Sequence, residues 1–98
     1  MSNSYFTTST VSVNDTAWVE VLPADGARDT MAIQNQGDSV VYIGFDDVDD
    51  ETRSIRVAPG AYFEPFSVPS NKIKLKAEFG GNTTVLVVTT YKSTIVAS

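Results

Sequence analysis

The sequence predicts an all-β protein, an antiparallel β-sandwich of about eight short strands in a jelly-roll-like arrangement. Three observations lead there. Ser and Thr make up 21 of the 98 residues, and the apolar set is rich in Val, Ile, Tyr and Phe, which suit a pleated surface. No window holds the i, i+3, i+4, i+7 apolar pattern of an amphipathic helix. Short apolar runs are instead broken at close intervals by segments containing Gly, Pro, Asn or Asp.

The elements follow in order. Residues 1–10 are polar except for Met1 and Tyr5-Phe6 and read as an N-terminal arm, although the first strand is expected to begin at Thr8 and run to Val13. A second strand, Ala17–Leu22, ends at Pro23-Ala24-Asp25-Gly26, where proline fixes φ and glycine tolerates positive φ. Strands at Thr30–Gln34 and Ser39–Phe45 flank Asn35-Gln36-Gly37-Asp38, which reads as a tight hairpin. The acidic run from Asp46 then leads to Ser54–Ala58, and Pro59-Gly60 redirects the chain into Tyr62–Phe66. Pro69-Ser70-Asn71 precedes Lys72–Glu78, and Gly80-Gly81-Asn82 precedes Thr84–Tyr91. Residues 11–91 thus form the sandwich, and residues 92–98 a tail carrying Ile95 and Val96.

Side-chain parity adds detail. Lys72, Lys74 and Lys76 share one face of their strand and Ile73, Leu75 and Ala77 the other, the pattern of a half-buried strand with a wet outer face. Along residues 40–45 and 85–88 both faces are apolar, yet a sandwich buries only one face of each sheet. The second face needs a roof, either a loop or terminal arm of the chain or another copy, and assembly is the expectation. Val41, Ile43 and Phe45, with Tyr5, Phe6, Trp18, Ile95 and Val96, are accordingly the candidate partner contacts.

Composition excludes much. There is no Cys and no His, which removes disulfides, thiol nucleophiles, imidazole bases and the common zinc-ligand sets. Seven basic against twelve acidic residues leave a net charge of −5, opposite to what a nucleic-acid grip requires. The N-terminal residues show no positively charged, apolar leader, and no apolar run approaches a membrane span, so neither a secretory nor a membrane step is expected. Walker A, G-x-G-x-x-G and G-x-S-x-G motifs do not occur. No enzyme activity, no metal and no cofactor are expected. The run Asp46-Asp47-Val48-Asp49-Asp50-Glu51 lacks the glycine and the ligand spacing of a calcium loop and reads first as a solvated tip. Its alternative role, an electrostatic contact with a basic partner surface, is shared in mirror image by Lys72, Lys74 and Lys76.

Several segments in succession resemble one family. Val11-Ser12-Val13-Asn14-Asp15-Thr16-Ala17-Trp18 is followed by Val21-Leu22-Pro23-Ala24, Arg28, and Ile33-Gln34-Asn35-Gln36-Gly37. Val41-Tyr42-Ile43-Gly44-Phe45, Ile55, Ala58-Pro59-Gly60 and the closing strand Val85–Val88 complete the order. This resembles the small β-sandwich virion proteins of tailed bacteriophages, over roughly residues 11–91. The pairing of I-Q-N-x-G with V-Y-I-G is its distinctive part, and the acidic loop after Phe45 is a departure. The resemblance implies a non-enzymatic structural role, foremost a capsid decoration or cement protein on the outer capsid surface of a particle assembled in the host cytoplasm. Its implied partners are the major capsid protein or other virion proteins and further copies of itself, with a trimer favoured. A neck, tail or baseplate component is the alternative, and a host-surface carbohydrate-binding module using Trp18 or Tyr62 is a third.

Overall fold

A computed structural model describes residues 4–46, 49–65, 67–79 and 83–92, with the side chains of 4–6 and 92 left aside. The described residues form eight strands: β1 (Ser4–Val13), β2 (Val19–Leu22), β3 (Arg28–Asn35), β4 (Val41–Phe45), β5 (Ile55–Val57), β6 (Tyr62–Phe63), β7 (Ile73–Ala77) and β8 (Thr83–Lys92). One 3-10 turn, Glu51–Arg53, lies between β4 and β5. The strands form two four-stranded sheets, β1-β8-β3-β6 and β2-β7-β4-β5, and every pairing is antiparallel. Only β4 and β5 follow one another within a sheet; every other connection crosses to the opposite sheet. That order is the jelly roll, two Greek keys folded face to face.

Burial explains the strand positions. Val13, Met31, Ile33, Val41, Ile43, Ile73, Leu75 and Val85 are essentially inaccessible and form the layer between the sheets. On β8 the inward set is Thr83, Val85, Val87 and Thr89, and the residues between them face away, the period of two that a strand imposes. The same rule turns Ile73, Leu75 and Ala77 inward and Lys74 and Lys76 outward on β7.

The structure departs from the sequence expectations at three places. β1 begins at Ser4, so residues 4–10 are sheet and not an arm; the pairing with β8 runs unbroken from Ser4–Lys92 to Val13–Thr83. Residues 36–40 do not make a hairpin, because β3 and β4 belong to different sheets. Asn35 instead ends β3 with a buried side chain that donates to the carbonyls of Ser39 (2.6 Å) and Val57 (3.1 Å) and accepts from the Gly37 N–H (3.0 Å). Val41, Ile43 and Phe45 face inward: the first two are wholly buried, and Phe45 packs against the same core, so they are packing residues and not surface anchors.

Two glycines have defined jobs. A Cβ on Gly37 would stand 2.5 Å from Thr83 Cγ2, so only glycine lets this connection lie on the start of β8. Gly60 has φ of +81° and follows Pro59 in a turn closed by Ala61 N–H to Ala58 O at 3.0 Å, the proline–glycine pattern of a type II turn.

Candidate interaction surfaces

The two outer faces of the sandwich differ sharply in charge. On the first sheet, register sets Thr8, Thr10 and Ser12 of β1 against Val88, Leu86 and Thr84 of β8. On the other side of β8 stand Ala32 and Gln34 of β3, and Gln34 in turn faces Tyr62 of β6. With Thr30 and Thr90, these outward residues include no charged side chain. Leu86 and Val88 at the centre are half-buried by their neighbours, while Tyr62 is 66% exposed. The second apolar side of β8 therefore lacks a roof among the described residues. Among the described side chains named here the face is neutral, and on a chain of net charge −5 such a stretch is a contact surface without a repulsive term.

The second sheet is the opposite case. Its outer face carries Glu20, Lys74, Lys76, Tyr42 and Arg56, and the acidic loop folds back over it. Lys74 pairs with Asp49, and Lys76 Nζ lies 3.1 Å from Glu51. Lys74 also stands 5.9 Å above the ring of half-buried Trp18, a cation–π arrangement. Its residue exposure falls to 9%, so the lysine expected on a wet face is covered. Gly44 sits opposite Lys74 and brings no side chain to this face. The 3-10 turn lies against β4, which accounts for the second apolar side of that strand: a loop of the same chain roofs it.

Local chemistry explains why the loop can lie there. Asp50 caps the 3-10 turn, its carboxylate accepting from Thr52 N–H (2.9 Å) and Thr52 Oγ1 (2.7 Å). Those two bonds, the hydroxyl foremost, hold the Asp50 carboxyl below the usual carboxylate range. Asp46 takes φ of +55°, and its carboxylate accepts from the Asn71 side chain (2.6 Å) and the Lys72 N–H (3.3 Å). At the far end Arg56 and Glu78 lie 3.5 Å apart. Burial pushes the Tyr42 phenol above its ordinary value, and the hydrogen bond to Glu78 adds to it. The electrostatic candidates among the described residues, Asp46, Asp49, Asp50, Glu51, Lys72, Lys74 and Lys76, thus all have partners within the chain. Asp47 lies outside the described residues.

The other candidates scatter. Trp18 belongs to the second face and Tyr62 to the first, so the two aromatics form no common stacking platform. The backbones of Tyr5 and Phe6 lie in β1, their side chains lie outside the described residues, and so do Ile95 and Val96. A shallow depression lined by Glu20, Pro23, Ala24, Asp46 and Lys72 opens beside the loop ends. Arg28, bonded to Pro23 of that lining, is 7% exposed and donates to the carbonyls of Pro69 (2.6 Å), Asn71 (3.2 Å) and Pro23 (2.7 Å), so it ties loops together. No group of His, Cys, Asp and Glu suited to a metal occurs among the described residues. Sequence reasoning missed two features: Phe79, 67% exposed beyond β7, and the β1 edge, whose signal was the lack of any charge before Asp15. No protein-family model and no curated protein matches the chain.

Proposed function

We propose that the protein is a non-enzymatic structural protein of a phage virion, a capsid decoration protein that attaches to the outer shell through the neutral face of its first sheet. The observation that carries this reading is the contrast between the two faces. The basic side chains of the second sheet, Lys74, Lys76 and Arg56, are paired with Asp49, Glu51 and Glu78, whereas the face made by β1, β8, β3 and β6 has half-buried aliphatics ringed by hydroxyls. Such a face excludes water at its centre and hydrogen-bonds at its rim, as stable protein contacts do. The resemblance of the motif residues to the virion group supports the reading from another side. Asn35, Gly37, Ile43 and Gly60 build the scaffold, and none supplies a reactive group.

The test is cosedimentation of the purified chain with assembled capsids of the phage whose genome encodes it. Val88→Glu and Leu86→Glu are expected to abolish binding with circular dichroism unchanged, and Lys76→Glu on the opposite face to leave it intact. Wild-type chain that stays in the supernatant, or a Val88→Glu variant that binds as wild type, overturns the reading. Binding to isolated necks or tails but not to shells would move the protein to those parts of the particle.

A further inference from the structure

The sandwich has four sheet edges, and three of them are blunted. β2 has four residues, includes Glu20, carries a register shift between Glu20 and Leu22, and runs into Pro23. β5 has three residues, centred on Arg56, and β6 only two, followed by Glu64 and Pro65. Short length, charge, bulges and proline are the devices that keep an edge from pairing. β1 has none of them. It is ten residues long, contains no charge, proline or glycine, and keeps its register with β8 throughout. No described strand pairs with its other side. Thr7, Thr8, Ser9 and Thr10 are exposed although they alternate between the sheet's two faces, so both sides of this stretch are open.

We propose that β1 is a self-recognition edge, along which two copies of the chain pair antiparallel about a two-fold axis to form one continuous eight-stranded sheet. The occupant is a second copy because only this edge meets itself without penalty. A two-fold axis centred on β5 sets Arg56 against Arg56, one at Glu20 of β2 sets Glu20 against its copy, like charges directly opposed are destabilising, and β6 at two residues is too short to hold a ladder. Along β1, hydroxyl faces hydroxyl. The chain already uses that contact, with Thr7 Oγ1 and Thr89 Oγ1 2.8 Å apart across the β1–β8 pair. The main-chain bonds supply the affinity, as in other strand additions. Opposed residues must lie on the same face of the joined sheet, so the axis passes through one residue of β1, which faces its own copy. The contact is isologous and ends at two chains. It joins two neutral faces into one surface, and it differs from the three-fold assembly implied by the family resemblance. It rests on the edge alone, and failure of capsid binding would leave it standing.

Sedimentation equilibrium of the full chain from micromolar to millimolar concentration reads the outcome. The expected mass approaches twice 10.6 kDa. Thr8→Lys with Thr10→Lys is expected to weaken the dimer at least tenfold, since the exposed side chains admit lysine while the axis brings like charges together. Because the chain has no cysteine, single cysteines at positions 7 to 11 give a second reading. One position, or adjacent ones, should oxidise rapidly to a covalent dimer, and Glu20→Cys should not. A monomer across the whole range, a trimer, a dimer indifferent to the two lysines, or cross-linking through position 20 in place of β1 overturns the proposal. Should the double-lysine variant fail to fold, the cysteine series decides.

Discussion

Asn35 holds together three stretches of chain that strand pairing does not join. Its amide donates to Ser39 and Val57 and receives Gly37, so the end of β3, the crossover and the end of β5 share one buried hydrogen-bond centre. Buried polar groups need such partners, and removal of one strands the rest at about 1–3 kcal/mol per orphaned group. Gly37 completes the arrangement by closing on Thr83. Gly37→Ala should therefore destabilise the protein by about 1–3 kcal/mol in urea denaturation, the usual cost of overpacking. Thr83→Ser, which deletes the methyl that a Cβ would strike, should return part of that loss in the double variant. Equal losses with and without Thr83→Ser would mean that backbone contact, and not the methyl, sets the cost. The sequence marked Asn35 and Gly37 as special, but for a hairpin. Asn and Gly signal a turn in either case, and nothing local says whether the next strand joins the same sheet or the facing one.

At the scale of elements, periodicity placed the strands well because alternation is a property of neighbours in sequence. The inward set of β7 was legible residue by residue, whereas β8, apolar on both faces over residues 85–88, left its inward side open. The acidic loop was not, since its partners are remote: Asp49 and Lys74 are 25 positions apart. Two opposite charge clusters invited the reading that each seeks an external partner, and folding brings them to each other. The lysines offset part of the self-repulsion that would otherwise drive the loop into solvent, although each carboxylate stays largely exposed, and surface pairs contribute only about 0–1 kcal/mol each. The cap on the 3-10 turn makes a pH prediction. The Asp50 pKa is lowered in the folded state, so its contribution to stability is present at neutral pH and is lost as pH falls through that depressed value. An NMR titration should place the Asp50 midpoint below that of an ordinary aspartate. Thr52→Val, which removes the hydroxyl and leaves the N–H, should move it back toward the ordinary value; an unmoved midpoint would assign the shift to the N–H and to Arg53.

For the whole molecule, the decisive connection is the pairing of the first strand with the last. The polar run at the start of the chain resembled an arm because Ser and Thr show no inside–outside alternation. Only β8, some eighty residues away, reveals it as a strand. Deletion of residues 1–10 consequently removes seven of the ten residues of β1 and bares β8. The expected result is a large fall in the urea midpoint and a change in the far-ultraviolet circular dichroism. A truncated chain that keeps both would show that β3 alone suffices to hold β8. Pairings this remote also slow folding, because loop-closure entropy is spent before the contacts form; milliseconds to seconds is the range for sandwiches.

The opposition of Ser4 and Lys92 makes the connectivity close to a ring. A short linker from β8 back to β1 would turn the break between them into one more loop, and the chain could then be opened between β4 and β5 without cutting a strand. Fusions joined directly at Ser4 or at Lys92 leave from the same corner of the sandwich, which gives anything carried there a single address on whatever surface the protein occupies.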